Sequence, residues 1–321
     1  MGTSAVASEI DVGGGPGRTF ASVEELEQGL ARQQYIADRG LATTLFLTLR
    51  LQKPLLLEGE AGVGKTEIAK TLAALLDVPL IRLQCYEGLD AASAIYEWDY
   101  PRQMLYLRTL EATGAANSGP RDQESARRDL FSEEFLLKRP LLQAIDAAHD
   151  RPPVLLIDEV DRADQELEAF LLELLSDFQV TVPELGTIRA EHVPVVILTS
   201  NRTREIHDAL KRRCLYHWID FPTFDKEFRI LSTKVPEAPA RLAHQIVAFT
   251  QGLREVDLFK PPGMAETLDW ARALLALGTT TLSDSLVDDS LGVILKYQED
   301  VEQVRGQVAA TLVARGTQVA D

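Results

Sequence analysis

The sequence predicts an α/β fold, a parallel-sheet core with helices on both faces, followed by a small all-helical domain. Three observations carry this. Short apolar runs, Leu55-Leu56-Leu57, Leu80 to Leu83, Val154 to Ile157 and Val193 to Leu198, alternate with longer segments of helical periodicity. Runs that are apolar throughout rather than every second residue belong to strands covered on both faces, which parallel strands between helical layers are. A glycine-rich turn joins the first run to a helical segment, and after Phe221-Pro222 apolar residues recur only at spacings of three and four.

Taken in order, residues 1–21 form a Gly, Ser and Ala rich stretch, expected to be a flexible tail because it has little apolar surface to offset its ordering entropy. Order is expected from Ser22, where Glu25 stands three residues after a candidate N-cap and ahead of Leu26 and Leu30. A second helix is expected from about Ala37 to Leu49, with Leu41, Leu45 and Leu49 four apart. The α/β core then runs over residues 22–222. Within it, Thr113 to Arg128 is polar and reads as an exposed loop. The helical domain, residues 223–321, is expected to hold helices over Asp225 to Val235, Ala240 to Leu253, Met264 to Leu277, and Ser285 to about Leu312, punctuated by Pro236, Pro239, Pro261 and Pro262.

Composition narrows the function classes. The chain has 321 residues, 45% hydrophobic and 26% charged, ordinary values for a folded protein with a sizeable core. Its 33 basic residues against 49 acidic ones give a net charge of −16, a field that repels nucleic acid and anionic lipid in general while leaving room for a local basic cleft. No apolar run approaches the ~20 residues of a membrane span. The opening residues lack the basic patch and apolar core of a secretory signal. Cys85 and Cys214 form no close-spaced pair that would suggest a disulfide framework or zinc site. A reducing, cytoplasmic setting is the expectation.

The chemistry concentrates in one loop. Gly59-Glu60-Ala61-Gly62-Val63-Gly64-Lys65-Thr66 matches G-x-x-x-x-G-K-[ST] at every fixed position, directly after an expected strand and before an expected helix. Glycines let the backbone curl so that successive N–H groups face phosphate oxygens, and the helix start adds favourable partial charge. Lys65 is placed to reach the β and γ phosphates, and the Thr66 hydroxyl to ligate Mg²⁺. Val154 to Asp158 and Glu159 form an apolar strand ending in two acids, at the edge where parallel sheets bind ligands. Asp158 suits an Mg²⁺ ligand acting through water, and Glu159 a base for the water that attacks the γ phosphate. Asn201, after Thr199-Ser200 at the next strand end, could orient that water; the plainer reading is a turn-forming Ser-Asn pair. Arg212 and Arg213 form a basic cluster that could stabilise phosphoryl charge across a subunit boundary, or simply complement a helix end.

Together these segments resemble an AAA+ ATPase: Walker A at Gly59 to Thr66, Walker B at Val154 to Glu159, sensor 1 at Asn201, an arginine finger in Arg212-Arg213, and a helical lid. More narrowly the chain resembles the MoxR group and its CoxD-like members, on Leu57 to Glu67, Gln84 to Asp90 and Lys260 to Trp270. The resemblance implies ATP and Mg²⁺ as cofactors and a ring, commonly a hexamer, with ATP between protomers. It implies Arg213 as the finger with Arg212 as fallback, and Tyr35 and Ile36 beside the adenine; a Tyr-Ile pair before a helix is equally often plain packing. Glu67 completes the loop segment. Tyr96 to Gln103 looks like a pore-facing insert, in which Trp98 and Tyr100 either touch a client or pack, and Gln179 to Arg189 looks like a hairpin before sensor 1. One departure is plain: where many relatives carry a sensor 2 arginine, this chain has Glu266, so either Arg272 replaces it or the lid is coupled differently, and no sensor 2 residue is assigned.

The function implied is an ATP-driven chaperone that remodels, matures or activates a client protein, with a von Willebrand factor A domain partner and a metalloenzyme client such as a molybdenum hydroxylase. Two other readings stay open, a nucleic-acid-associated motor or loader and a low-turnover nucleotide switch. A GTPase is disfavoured because no Lys-x-Asp follows Thr199-Ser200-Asn201-Arg202.

Overall fold

Alternation within the strands decides which side of the sheet each helix covers. The computed structural model of the chain describes residues 20–112, 128–146 and 150–320; of the tail expected over residues 1–21, residues 1–19 lie outside the described residues, as do residues 113–127 of the loop expected over Thr113 to Arg128. In chain order the strands are β1 (Leu55–Gly59), β2 (Leu80–Gln84), β3 (Tyr96–Trp98), β4 (Leu136–Lys138), β5 (Val154–Asp158), β6 (Gln179–Val182), β7 (Gly186–Arg189), β8 (Val195–Ser200) and β9 (Leu215–Ile219). One parallel sheet has the order β2-β5-β8-β1-β9, while β3 pairs antiparallel with β4 and β6 with β7.

The helices of this part are α1 (Val23–Arg32), α2 (Arg39–Leu51), α3 (Lys65–Leu76), α4 (Ala91–Ile95), α5 (Tyr100–Ala112), α6 (Pro140–Ile145), α7 (Gln165–Asp177) and α8 (Asp208–Arg213). Because successive side chains leave a strand on opposite faces, Val154 and Leu156 of β5 join Leu55, Leu57 and Ile197 under α1 to α3, where Leu26, Leu30, Leu41, Leu45, Ile68 and Leu72 meet them. Leu155 and Ile157 point the other way, joining Ile81, Leu83, Val196 and Leu198 beneath Leu141, Leu142, Leu167, Leu171 and Leu210. Both faces are therefore dry, and the fold is the parallel sheet between helical layers that the apolar runs predict.

The first helix starts at Ser22, whose hydroxyl accepts from Glu25 N at 3.2 Å. Glu25 reaches one residue past the cap, accepting from Ala21 N at 2.7 Å. In the segment Tyr96 to Gln103, β3 pairs with the distant β4 and α5 begins at Tyr100. The structure separates its two aromatics. Trp98 is buried and in edge contact with Tyr96 and Phe131, whereas Tyr100 is exposed. Gln179 to Arg189 is a β-hairpin, with Gln179 opposite Arg189.

From Phe224 onward the described chain is helical: α9 (Phe224–Lys234), α10 (Ala240–Arg254), α11 (Met264–Ala276), α12 (Asp284–Ile294), α13 (Gln298–Val304) and α14 (Gln307–Ala320). The helix expected from Ser285 to Leu312 is thus three. Leu295 and Tyr297 are extended, and Gly306 takes φ +80°, a left-handed turn that suits glycine. These helices enclose a separate core built on Phe249 and Trp270, whose rings are 5.0 Å apart, with Trp270 Nε1 donating to Ser290 Oγ at 2.9 Å. Trp270→Ala opens a cavity there and leaves Ser290 without its donor, an expected loss of about 3–5 kcal/mol in denaturant unfolding; a loss under about 1 kcal/mol would contradict the packing described.

Candidate functional site

The carboxyl ends of β1, β5 and β8 lie side by side, with Leu57 in register with Thr199 and Ile157 with Leu198. The loop after β1 begins where only glycine fits. Gly59 has φ +156°, and a Cβ there would lie 2.2 Å from Ile219 O. Gly62 and Gly64 have φ +78° and +98°, so the chain curls before entering α3 at Lys65, a helix start without a side-chain cap. First-turn N–H groups are thereby directed at the mouth of the loop, the arrangement that holds an anion. Lys65 Nζ donates to Gly59 O at 2.7 Å and Glu60 O at 2.6 Å. Burial pushes its pKa down, opposed by the carboxylates of Asp161, Glu60, Asp158 and Glu159.

Asp158 is the centre of this edge, 3% exposed. Its carboxylate accepts from Thr66 Oγ1 at 3.1 Å, from Thr199 Oγ1 at 2.5 Å and from Arg82 Nη2 at 2.6 Å. Thr199 also accepts from Glu159 N at 2.9 Å. Glu159 is left-handed at φ +55°, a conformation that costs a non-glycine residue roughly 1 kcal/mol, and its carboxylate pairs with Arg162 Nε at 3.0 Å. Asp161, also buried, accepts from Asn201 N at 3.3 Å and from both the N–H and the hydroxyl of Thr203, fixing the turn after β8.

Two cavities meet at the loop. One, about 290 Å³, is lined by Ala61, Gly62, Gly64, Lys65, Thr66 and Glu67 and, across from them, by Asp158, Glu159, Thr199 and Asn201. The other, about 330 Å³, is lined by Tyr35, Ile36, Gly62, Val63, Gly64 and Glu67 together with Ala265 and Leu268 of α11. Burial raises the Tyr35 hydroxyl pKa, so it stays protonated. Lys226, Lys234 and Arg272 also line the second cavity, paired with Asp38 at 3.0 Å, Glu67 at 3.5 Å and Asp269 at 3.2 Å. Gly59 and Glu60 shape the loop without lining either space. Arg212 and Arg213 sit in the last turn of α8 and line neither of these two cavities; Arg213 Nε donates to Ser176 Oγ at 2.6 Å.

The residues present fit a nucleotide and Mg²⁺. The glycine loop supplies backbone donors beside Lys65, and a hydroxyl and a carboxylate meet at hydrogen-bond distance, an all-oxygen pair suited to a hard cation. Among the described residues no group of three or more His, Cys, Asp or Glu could hold a metal by itself.

A family model described as "AAA domain (dynein-related subfamily)" matches residues 54–214, just over half of the chain and all of the strands that carry this edge. The chain belongs to that family. Two curated relatives, both uncharacterized proteins, are from Staphylococcus haemolyticus, 25% identical over 256 residues (77% of this chain, 86% of the relative), and Staphylococcus aureus strain bovine RF122, 26% identical over 234 residues (71% and 77%). Among solved structures it is similar to a Thermotoga maritima RuvB mutant (15% identity, TM-score 0.46, 86% of this chain and 72% of that one). A Cytophaga hutchinsonii protein described as a candidate ATPase is also similar (13%, TM-score 0.47, 91% and 93%).

Within this AAA domain, sequence reasoning missed Thr199, Arg82 and Asp161. Thr199 is one residue from the Ser-Asn turn that drew attention, and its buried hydroxyl joins Asp158 to Glu159. Arg82 lies on β2, where Gln84 is in register with Asp158, so a basic residue two positions earlier on that face was the available signal. Glu266 turns out to cap its own helix, accepting from Gly263 N at 3.0 Å. The two thiols are pushed up to about 12 by burial, Cys85 further by Asp158 nearby. A raised thiol pKa leaves the unreactive neutral form, so at pH 8 roughly one part in ten thousand is thiolate. Iodoacetamide at pH 8 should label the native chain at least about a hundredfold more slowly than the unfolded chain, read by mass spectrometry; rapid native labelling would contradict this environment.

Proposed function

We propose that this AAA-domain protein hydrolyses ATP to remodel, mature or activate a client protein. In this reading it is a MoxR-type, CoxD-like chaperone that works in the cytoplasm as a ring, most simply a hexamer, beside a von Willebrand factor A domain partner. A metalloenzyme such as a molybdenum hydroxylase is the kind of client the reading favours. The single observation that carries the enzymatic part is the meeting of Thr66 and Asp158 beneath the Lys65 loop, with Glu159 next in the chain on a backbone held by Thr199.

In mechanism, Gly59 to Glu67 cradle the phosphates and Lys65 offsets their charge. Thr66 and Asp158 would hold Mg²⁺, which when bound neutralises charge on the β and γ phosphates. Glu159 accepts the proton of the attacking water and Asn201 orients that water. Tyr35 and Ile36 close over the base. Arg213, or Arg212 in its place, serves the site of the neighbouring protomer, a reading that fits their lining neither cavity of their own chain. The net charge of −16 disfavours a nucleic-acid motor or loader.

Lys65→Ala should lose ATP binding. Glu159→Gln should keep binding and lose turnover by roughly 10²–10⁴, the range for removing a general base. Normal turnover in both would sink the assignment. Arg213→Ala should lower turnover at least ~10³-fold, and wild-type activity per protomer should rise with protein concentration; concentration-independent activity would contradict a shared site.

A further inference from the structure

Two glycines from different domains face each other at the phosphate loop. A Cβ added to Gly263 would lie 2.7 Å from Ala61 O, 2.8 Å from Gly62 Cα and 2.9 Å from Gly62 C. A Cβ added to Gly62 would lie 2.8 Å from Glu266 Oε2 and 3.2 Å from Gly263 Cα. Gly263 has φ −87° and ψ −175°, extended backbone that any residue adopts, so its need for glycine is one of space. The contact is also bonded: Ala265 N donates to Gly62 O at 3.3 Å, and the Glu266 carboxylate that holds Gly263 N lies over Gly62.

The segment that presses on the loop is anchored from behind. Arg254 Nε donates to Pro262 O at 2.9 Å, next to Gly263, while its two terminal nitrogens bond both oxygens of Glu227 at 2.6 and 2.8 Å. The same guanidinium stacks 4.7 Å from the ring of Phe221, and Gln251 Nε2 donates to Pro222 O at 2.9 Å and to Glu227 at 2.6 Å. Glu227 is 0% and Arg254 8% exposed. One buried network thus grips the junction at Phe221-Pro222, the start of α9, the end of α10 and the Pro262-Gly263 turn. The turn is rigid toward the helical domain and closely fitted toward the phosphate loop.

We propose that the helical domain seats on the nucleotide site through the paired backbones of Gly62 and Gly263, with Gly263 a positioning residue that must lack a side chain for Ala265 and Leu268 to close the base cavity. This rests on the reading that the chain binds ATP. Movement of the loop on phosphate binding is then transmitted directly to the turn and, through Arg254, to the whole domain. No side chain reaching the γ phosphate from the start of α11 is required.

The test is Gly263→Ala in the full chain, measured by ATP titration, steady-state kinetics and hydrogen exchange with and without ATP. The expected result is a KM for ATP raised about tenfold or more, a larger change than in kcat, with loss of the ATP-induced protection of residues 264–276. Exchange in α12 to α14, whose core does not include Gly263, reports whether the domain remains folded. Should those helices lose protection, Glu266→Ala decides, since it frees Gly263 N without adding bulk: a KM raised roughly threefold supports the proposal. Wild-type affinity and wild-type protection of α11 in either folded variant would overturn it. Absence of ATP binding by the wild-type chain would instead remove the proposed function, and this inference with it.

Discussion

A single buried carboxylate draws the site together. Asp158 stands at the end of a strand covered on both faces, where an ionised group would be too costly to bury without donors. Three arrive, from Thr66 on the helix after the phosphate loop, Thr199 on the adjacent strand and Arg82 on the strand at the other side. Each fixes an element of the proposed site: the loop's exit, the strand that leads to Asn201 and supports Glu159, and the sheet edge itself. Parallel β-strands make this convergence possible, because their carboxyl ends share one edge.

The rest of the molecule follows from having a site at that edge. Helices on both faces keep the sheet dry, so the polar groups at its end are the ones free to meet a ligand. The helical C-terminal region has its own core, built on Phe249 and Trp270, and meets the sheet-bearing region through a short junction, the start of α11, and Lys226 and Lys234 of α9. Ala265 lines both cavities. The space for a nucleotide is therefore shared between two separately packed bodies, a geometry in which binding and relative movement are naturally linked.

Much of this was legible before any coordinates. The apolar runs announced buried parallel strands because burial on both faces leaves no room for alternation, and the loop motif announced itself because glycines at fixed spacing have few other uses. The acids after β5 followed from the strand preceding them. Thr199 was less visible: a threonine in a strand looks like ordinary β-propensity until its partner is known. Arg82 belongs to the same class, since its role depends on register between strands seventy residues apart. Glu266 misled for a related reason. The sequence shows a carboxylate where a cation was expected, while the structure shows it serving its own helix, and the contact with the loop made by a glycine three residues earlier. Backbone contacts leave no signature in side-chain chemistry except the absence of one.

The account stands on Asp158 acting with Thr66 as the hard-oxygen pair of an ATP hydrolase, and Asp158→Asn isolates that role by keeping the shape while removing the charge. The measurement is ATP binding and turnover over a range of Mg²⁺ concentrations. The account predicts that the variant still binds ATP, needs more Mg²⁺ for half-maximal turnover and turns over at least roughly a hundredfold more slowly, the scale of charge stabilisation a bound metal supplies. Turnover and Mg²⁺ dependence equal to those of the unaltered chain would contradict it.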